Sequence, residues 1–282
     1  TGNITSKNIS KVISKKTKAI ICVHLAGYPC DMDSIMELAN VNELFVIEDC
    51  SQAHGARYKD KSVGSIGHIG TWSFCQDKII STGGEGGMLT TNTENFWSIA
   101  WSYKDHGKSF KAVNNSKNNK FNWVHESIGT NWRMTEIQAT IGRIQLTKLD
   151  QWREKRTANA EKILKMCSKF SNLLRVPNLS SDIIHAWYKC YVYLKLDAFE
   201  IGWSRDRVIS EINAFGVPCY EGSCSEVYLE KAFKDLKPEK RMTNAKELGE
   251  TSIMFLIHPN LTSEEIENVC EVIENVMTKA RK

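Results

Sequence analysis

Two runs of nearly continuous apolar residues, many of them β-branched, constrain the fold of this chain more than any other feature. They cover 19–25, in which His24 is the one polar residue, and 44–47, and such runs are typical of a strand that is covered on both faces. Between them, apolar residues recur at helical spacing after a candidate capping residue, Asp31 or Asp33. The pattern therefore predicts a strand–helix–strand unit, the building block of a parallel sheet.

The rest of the chain predicts two domains. Short apolar runs predict further strands over 70–75 and 88–91, and a capping-box pattern opens one long amphipathic helix over 135–152 that links the domains. We assign 1–155 to a large α/β domain and 156–282 to a smaller α+β domain. The smaller domain is expected to contain a strand over 187–196, a helix over 208–215 that stops before Gly216, and a last helix capped by Thr262 and Glu265.

Charge and cysteine content argue against several functional classes. Lys and Arg number 37 against 33 Asp and Glu, and a formal net charge of +4 is too small to favour nucleic acid or an anionic membrane as a partner. The nine cysteines show neither a Cys-x-x-Cys pair nor a cluster at metal-ligand spacing. We expect reduced thiols in a cytoplasmic protein, no metal site and no membrane span. The Lys-, Asn- and Ser-rich stretch 108–120 is expected to be an exposed loop.

Candidate chemistry begins where the second apolar run ends, at Glu48 and Asp49. Ligands of open parallel sheets bind outside the carboxyl ends of the strands, although position alone favours a capping or loop acid. Further along, Lys78 precedes the Gly-rich turn 82–87. This turn is not a nucleotide-binding loop, because it lacks the Gly-Lys-Ser/Thr sequence and leads into a strand instead of a helix. Taken alone, Lys78 is best interpreted as a solvated lysine.

The combination of these residues is more informative than any one of them. Pyridoxal phosphate needs a lysine amine for its Schiff base, a carboxylate at the pyridine nitrogen, and hydroxyl or backbone donors for its phosphate. Lys78, Asp49 and Ser73 supply one group of each kind. The sequence therefore predicts a site for pyridoxal phosphate.

At these residues the chain resembles the DegT/DnrJ/EryC1/StrS family of pyridoxal-phosphate-dependent aminotransferases that act on nucleotide-linked keto sugars. The resemblance extends over five separate motifs, which together are far more specific than any single one. The motifs are 17–27, 46–55, the segment from Ser73-Phe74 through Lys78 to Gly87, His106-Gly107, and 131–139.

This resemblance implies an aspartate-aminotransferase-like (type I) fold, with an incomplete, mostly parallel large domain and a smaller C-terminal α+β domain. It makes Lys78 the Schiff-base lysine and general acid/base. Asp49 would pair with the pyridine nitrogen, Gln52 would contact the ring or its phenolic oxygen, and Ser73 would hold the phosphate. Asn131 would reach the phosphate in the neighbouring subunit, so a homodimer with shared active sites is expected. Members of the family carry a further segment before the point that matches Thr1, and we expect the chain to be a fragment with some apolar surface uncovered.

The function implied is transfer of an amino group from glutamate to a keto carbon of a nucleotide-linked deoxysugar, for lipopolysaccharide O-antigen, other polysaccharide or amino-sugar biosynthesis. Lys78 argues against the dehydratase branch of the family, in which a histidine replaces the lysine. The segment 217–228 departs from the family pattern near the sugar, which leaves the substrate open. Two alternatives remain: a non-catalytic binding or regulatory homologue, and a pyridoxal-phosphate-dependent sugar dehydratase.

Overall fold

The computed structural model describes residues 2–114, 123–223 and 225–282. By internal packing the chain divides into two compact units: the first comprises Asn3–Asp150 and Ser181–Ala186, and the second is built from Gln151–Ser180 and Trp187–Lys282. The domain limits 1–155 and 156–282 stay a prediction. No helix in the part of the chain that the structure describes is long and apolar enough to cross a membrane.

The first half of the chain begins with alternating helices and strands and continues with a series of strands and then of helices. They are α1 (Ser6–Ile9), β1 (Ala19–Val23), α2 (Met32–Val41), β2 (Phe45–Asp49), β3 (Arg57–Tyr58), β4 (Lys61–Ser62), β5 (Ile69–Ser73), β6 (Gly87–Thr90), α3 (Glu94–Lys104), α4 (Phe110–Asn114) and α5 (Glu136–Leu146).

The second half contains the remaining elements and most of the antiparallel strands. They are α6 (Leu149–Ser168), β7 (Leu174–Arg175), β8 (Ile183–Ile184), β9 (Cys190–Leu194), α7 (Arg205–Ala214), β10 (Cys219–Glu221), α8 (Thr243–Thr251), β11 (Ser252–Phe255) and α9 (Ser263–Ala280). Short 3-10 helices cover Leu25–Gly27, Leu196–Ala198, Val227–Leu229 and Lys231–Leu236.

The main sheet of the first unit has the strand order β1-β2-β5-β6. β1, β2 and β5 are parallel, while β6 returns antiparallel to β5. The register pairs Val23 with Asp49 and Asp49 with Thr71, so the carboxyl ends of the three parallel strands lie at one edge of the sheet. The strand–helix–strand unit predicted from the two apolar runs is present, and its second strand extends to include Glu48 and Asp49.

The first strand is covered on one face only, which corrects the expectation of two covered faces. Ile20 and Cys22 are buried against the apolar side of α2, whereas Ile21 and Val23 are 61% and 39% exposed. Phe45 on the neighbouring strand is also exposed. The run is apolar on both sides, but among the described residues helix packing reaches only one of them.

The single long helix predicted over 135–152 is in fact two helices, α5 and α6. The hydroxyl of Thr147 donates to the carbonyl of Ile144 at 2.8 Å, and the Lys148 N–H bonds to the Gln145 carbonyl in a tighter, 3-10-like turn. A threonine that bonds back to its own helix competes with the regular ladder and favours a break. The start of the prediction is confirmed, because Thr135 and Gln138 form a capping box.

The second unit is an antiparallel sheet, in the order β10-β11-β9-β7, that shares one apolar core with α6, α7 and α9. The strand predicted over 187–196 is shorter, at Cys190–Leu194, and all five of its residues are buried. The helix predicted over 208–215 starts earlier because Ser204 caps it. The capping box of Thr262 and Glu265 at the start of α9 is confirmed.

The stretch 108–120 overlaps the undescribed residues 115–122. Within its described part, Phe110–Asn114 forms the short helix α4, so the expected loop is at least partly helical. The eight cysteines among the described residues are all free thiols, and most of them are buried.

Candidate active site

The carboxyl edge of the main sheet carries the first candidate, Asp49, as the last residue of β2. Its carboxylate oxygen Oδ1 accepts the backbone N–H of Ser51 at 2.9 Å, and its carbonyl accepts the backbone N–H of His24 at 3.1 Å. The side chain is half-buried. Backbone contacts from two directions therefore fix both the main chain and the side chain of Asp49.

Gln52 follows on the turn that leaves β2. Its side-chain oxygen Oε1 accepts the backbone N–H of Ala26 at 2.7 Å. Ala26 lies in the 3-10 turn after β1 with φ of 56°, in the left-handed region that few non-glycine residues adopt. This bond joins the turns that follow β1 and β2, and it leaves the Nε2 amide donor as the group with which Gln52 would contact a ligand.

Ser73 ends β5, the strand next to β2, and its hydroxyl accepts the backbone N–H of Cys75 at 3.3 Å. Because Asp49 pairs with Thr71, Ser73 lies two residues further along the same sheet edge. Asp49 and Ser73 thus lie at the ends of two neighbouring strands, although the strand predicted over 70–75 would have placed Ser73 before its end.

Lys78 lies in the loop that leaves β5 and returns as β6. Phe74 closes this loop twice: its N–H bonds to the Gly86 carbonyl at 2.8 Å, and its carbonyl accepts the Thr82 N–H at 3.2 Å. The Lys78 side chain is 17% exposed, and its Nζ lies 3.5 Å from a carboxylate oxygen of Asp77. A lysine held in a closed loop at the sheet edge differs from the solvated lysine that composition alone suggested.

The Gly-rich turn has a steric reason at Gly86. A Cβ at this position would collide with the hydroxyl of Thr82, which donates to the Glu85 carbonyl at 3.0 Å. Gln138 reaches the same Glu85 carbonyl from α5 at 2.7 Å. The turn is thus a closely packed support for the lysine loop, consistent with the failure of the nucleotide-loop pattern.

Asn131 is held in a different way from the other candidates. It pairs with Asp105 in an isolated antiparallel bridge after α3, and its side-chain oxygen accepts a hydrogen bond from Arg133 at 3.3 Å. The residue is exposed. The structure therefore groups Asp49, Gln52, Ser73 and Lys78 on the strand ends and following loops of one sheet, and places Asn131 on a separate surface segment.

Sequence reasoning missed a buried polar cluster beside these residues. His24, Glu48 and Cys50 bring potential ligand atoms within 4.8 Å of one another. Both ring nitrogens of His24 and both carboxylate oxygens of Glu48 are already engaged in hydrogen bonds with protein groups. A signal was available, since Glu48 interrupts an apolar strand and alternation places it on the face opposite to Asp49.

The residues at the sheet edge fit pyridoxal phosphate by the chemistry of their groups. Lys78 offers an amine, Asp49 a fixed carboxylate, and Ser73 a hydroxyl, all on adjoining strand ends or the loop that follows. An α/β unit with a mostly parallel sheet and such a donor set defines a pyridoxal-phosphate-dependent transferase.

Comparison with known proteins identifies the family. The model of the DegT/DnrJ/EryC1/StrS aminotransferase family matches residues 1–274, and the chain belongs to this family. It is 34% identical to GDP-perosamine synthase of Escherichia coli O157:H7, over 97% of this chain and 69% of that protein. It is 30% identical to dTDP-3-amino-3,6-dideoxy-alpha-D-galactopyranose transaminase of Aneurinibacillus thermoaerophilus, over 97% of this chain and 69% of that enzyme.

A solved structure is more similar still. The aminotransferase from Psychrobacter cryohalolentis is 57% identical and superposes with a TM-score of 0.97, covering 99% of this chain and 73% of that one. The chain is accordingly a pyridoxal-phosphate-dependent sugar aminotransferase with the fold of that group, as the sequence predicted.

Proposed function

We propose that this enzyme transfers an amino group from glutamate to a keto carbon of a nucleotide-linked deoxysugar. The observation that carries the proposal is the placement of Asp49, Ser73 and Lys78 on adjoining strand ends and the loop that follows. Two relatives whose names specify GDP- and dTDP-linked amino sugars support the substrate class. A relative named as a spore coat polysaccharide biosynthesis protein supports a role in surface polysaccharide or O-antigen assembly.

The chemistry is divided between the cofactor and the side chains. Pyridoxal phosphate, when bound, supplies the electron sink that lets a carbon atom next to the amine lose its proton. The Lys78 amine would link the cofactor covalently and, when free, would move protons between carbon positions as general acid and base. Backbone hydrogen bonds of Phe74 close the loop that carries Lys78.

Three side chains would bind and orient the cofactor. The Asp49 carboxylate would accept a hydrogen bond from the protonated ring nitrogen and stabilise its charge. The Ser73 hydroxyl would donate to the phosphate. The Nε2 amide of Gln52 would donate to the phenolic oxygen, since its Oε1 is committed to Ala26.

We further propose a homodimer in which Asn131 completes the site of the partner subunit. Asn131 is exposed on a segment that also exposes Ile128 and Trp132, which are 93% and 70% accessible. Large apolar side chains at such exposure are typical of surfaces that bind another protein.

We also propose a cytoplasmic location for the enzyme, because the cysteines that the structure describes are free thiols and most of them are buried.

Mixing inactive variants tests the shared site. Lys78→Ala and Asn131→Ala, each inactive alone, are expected to regain activity when subunits are exchanged, because one site of the mixed dimer then draws both residues from unmutated positions. Recovery that tracks the fraction of mixed dimer supports the arrangement. Absence of recovery in a verified mixed dimer shows that Asn131 serves the site of its own subunit.

The reaction itself is tested with nitrogen-15 glutamate. The enzyme is incubated with GDP-, dTDP- and UDP-linked keto-deoxysugars, and the sugar product is analysed by mass spectrometry, with Lys78→Ala as control. We expect the label in an amino sugar with release of 2-oxoglutarate. A sugar that loses water and gains no label indicates a dehydratase. A parallel reaction with labelled glutamine tests the donor: label that enters the sugar from glutamine and not from glutamate would reject glutamate.

A further inference from the structure

We propose that Glu48 is a positioning residue, a buried carboxylate that fixes the strand ends and turns carrying Asp49, Gln52 and Ser73. The proposal rests on the cofactor-binding roles proposed above for those three residues. It assigns to Glu48 no contact with the cofactor or the substrate. It concerns the framework that determines where the three contacting side chains are held.

The Glu48 carboxylate is surrounded by hydrogen-bond donors. Its Oε1 accepts the backbone N–H groups of Ile66 and Gly67 at 2.9 and 2.6 Å. Its Oε2 accepts the backbone N–H of Gly64 at 2.8 Å and lies 3.0 Å from Nε2 of His24. The side chain is fully buried. Four donors on two oxygens leave the carboxylate fully satisfied away from water, the condition under which a buried acid is tolerated.

The hydrogen-bond partners of His24 select one tautomer of its neutral ring. Its Nδ1 accepts the backbone N–H of Cys30 at 3.0 Å, so the proton of the neutral ring must lie on Nε2, which faces Glu48. Burial alone would raise the pKa of the Glu48 carboxyl, but hydrogen bonds from His24, Gly64 and Gly67 bring the pKa below its ordinary value. Glu48 is thus ionised and acts only as an acceptor.

These contacts continue from His24 and Glu48 to the proposed cofactor-binding residues. The backbone N–H of His24 bonds to the carbonyl of Asp49, and two residues later Ala26 donates to the side chain of Gln52. His24 therefore links Glu48 to both residues through the end of β1. The carbonyl of Glu48 itself accepts the Thr71 hydroxyl at 3.2 Å, which ties it to the strand that ends in Ser73.

The Glu48 carboxylate also holds the loop that precedes β5. Gly64, Ile66 and Gly67 lie immediately before β5, so the three N–H groups that Glu48 accepts determine how the chain enters the strand of Ser73. Gly64 has φ of 78°, and a Cβ at Gly67 would lie 3.0 Å from the carbonyl oxygen of Val46. Glycine at both positions permits the close approach that four donors around one carboxylate require.

Replacement of Glu48 by glutamine is the most direct perturbation. Each carboxylate oxygen accepts two N–H groups, so in either amide orientation the –NH2 group faces two donors and cannot pair with them. The loss of these hydrogen bonds loosens the strand ends that carry Asp49 and Ser73. We therefore expect the dissociation constant of pyridoxal phosphate to rise about tenfold or more.

The decisive readout is the pH titration of the visible absorption band of the bound cofactor. Misplacing Asp49 reduces the positive charge on the ring nitrogen, which makes the lysine-linked nitrogen easier to protonate and moves the apparent pKa of the band upward. Asp49→Asn defines the full shift. Glu48→Gln is expected to shift the band in the same direction, and Gly67→Ala, which displaces one donor, by less.

Val46→Ala is the matched control, because Val46 is buried on the same strand and face as Glu48 and its side chain, which can neither donate nor accept a hydrogen bond, belongs to the apolar core of the first unit. It should lower the melting temperature of the cofactor-free protein while leaving the titration unchanged. If Asp49→Asn shifts the band and neither Glu48→Gln nor Gly67→Ala does, the positioning role is overturned. If Asp49→Asn itself produces no shift, the proposed function of Asp49 fails, and the role of Glu48 fails with it.

Discussion

Lowering the pH should destabilise this protein in part through the buried histidine His185. His185 belongs to the first unit, is 7% exposed, and lies edge-on to the ring of Tyr28 with ring centroids 5.5 Å apart. Burial lowers the pKa of its imidazole to about 3 from the ordinary value of 6.5. The folded state thus holds His185 neutral, whereas the unfolded chain takes up a proton below pH 6.5.

The direction and size of the effect follow from these two pKa values. Because the histidine is harder to protonate in the folded state, stability falls as the pH drops from 6.5 towards 3, with a limiting slope of about 1.4 kcal/mol per pH unit. Between pH 7.5 and pH 5.0 this histidine should therefore cost about 2 kcal/mol. Above pH 7 its contribution is constant.

Urea unfolding of His185→Phe beside the wild-type protein measures this contribution. Phenylalanine retains the aromatic edge contact with Tyr28 and cannot titrate, so any packing strain is independent of pH and cancels in the comparison. The difference in unfolding free energy should change by about 2 kcal/mol between pH 7.5 and 5.0. His185→Leu should show the same change from a different starting stability. A difference that stays constant over this range would refute the reasoning.

Two further variants test the packing of Gly86 and the hydrogen bonds of Arg156. Gly86→Ala should weaken binding of pyridoxal phosphate, because the added Cβ meets the Thr82 hydroxyl. The double variant Gly86→Ala/Thr82→Ala should regain much of the affinity in a cofactor titration, and equal weakening in both variants would reject this steric explanation. Arg156→Ala should lower the free energy of unfolding by about 2–4 kcal/mol, since the buried Nη1 of Arg156 donates to the carbonyls of Trp187 and Tyr188. Lys155→Ala, which replaces an exposed neighbour, should cost under about 0.5 kcal/mol in the same urea assay. A similar loss in both variants would contradict the stabilising role of the Arg156 hydrogen bonds.

The sequence predicted the part of the site that depends on strand ends. The apolar run over 44–47 located the end of β2, and with it Asp49, because hydrophobic periodicity records which residues are buried in a sheet. The proposed role of Glu48 could not be inferred from hydrophobic periodicity. Three of its four donors are backbone N–H groups of residues 64–67, and backbone donors have no signature in side-chain pattern.

The errors in the fold have different causes. The helical spacing of apolar residues continues past Thr147, although its hydroxyl bonds back to Ile144 and α5 ends there, so a local side-chain hydrogen bond outweighed the pattern. The strand predicted over 187–196 is longer than β9, whose five residues are all buried. Pairing with neighbouring strands, which the local pattern does not record, sets where this strand begins and ends.

The most direct test of the account is an absorbance spectrum of the purified protein with pyridoxal phosphate, before and after glutamate. Wild type and Lys61→Ala, in which an exposed lysine of the same unit is replaced, should both show the visible band of the lysine-bound cofactor and lose it when glutamate is added. Lys78→Ala should show no such band. A band of equal strength in Lys78→Ala, or one that glutamate leaves unchanged in wild type, would contradict the central claim that Lys78 carries the cofactor in a glutamate-dependent aminotransferase.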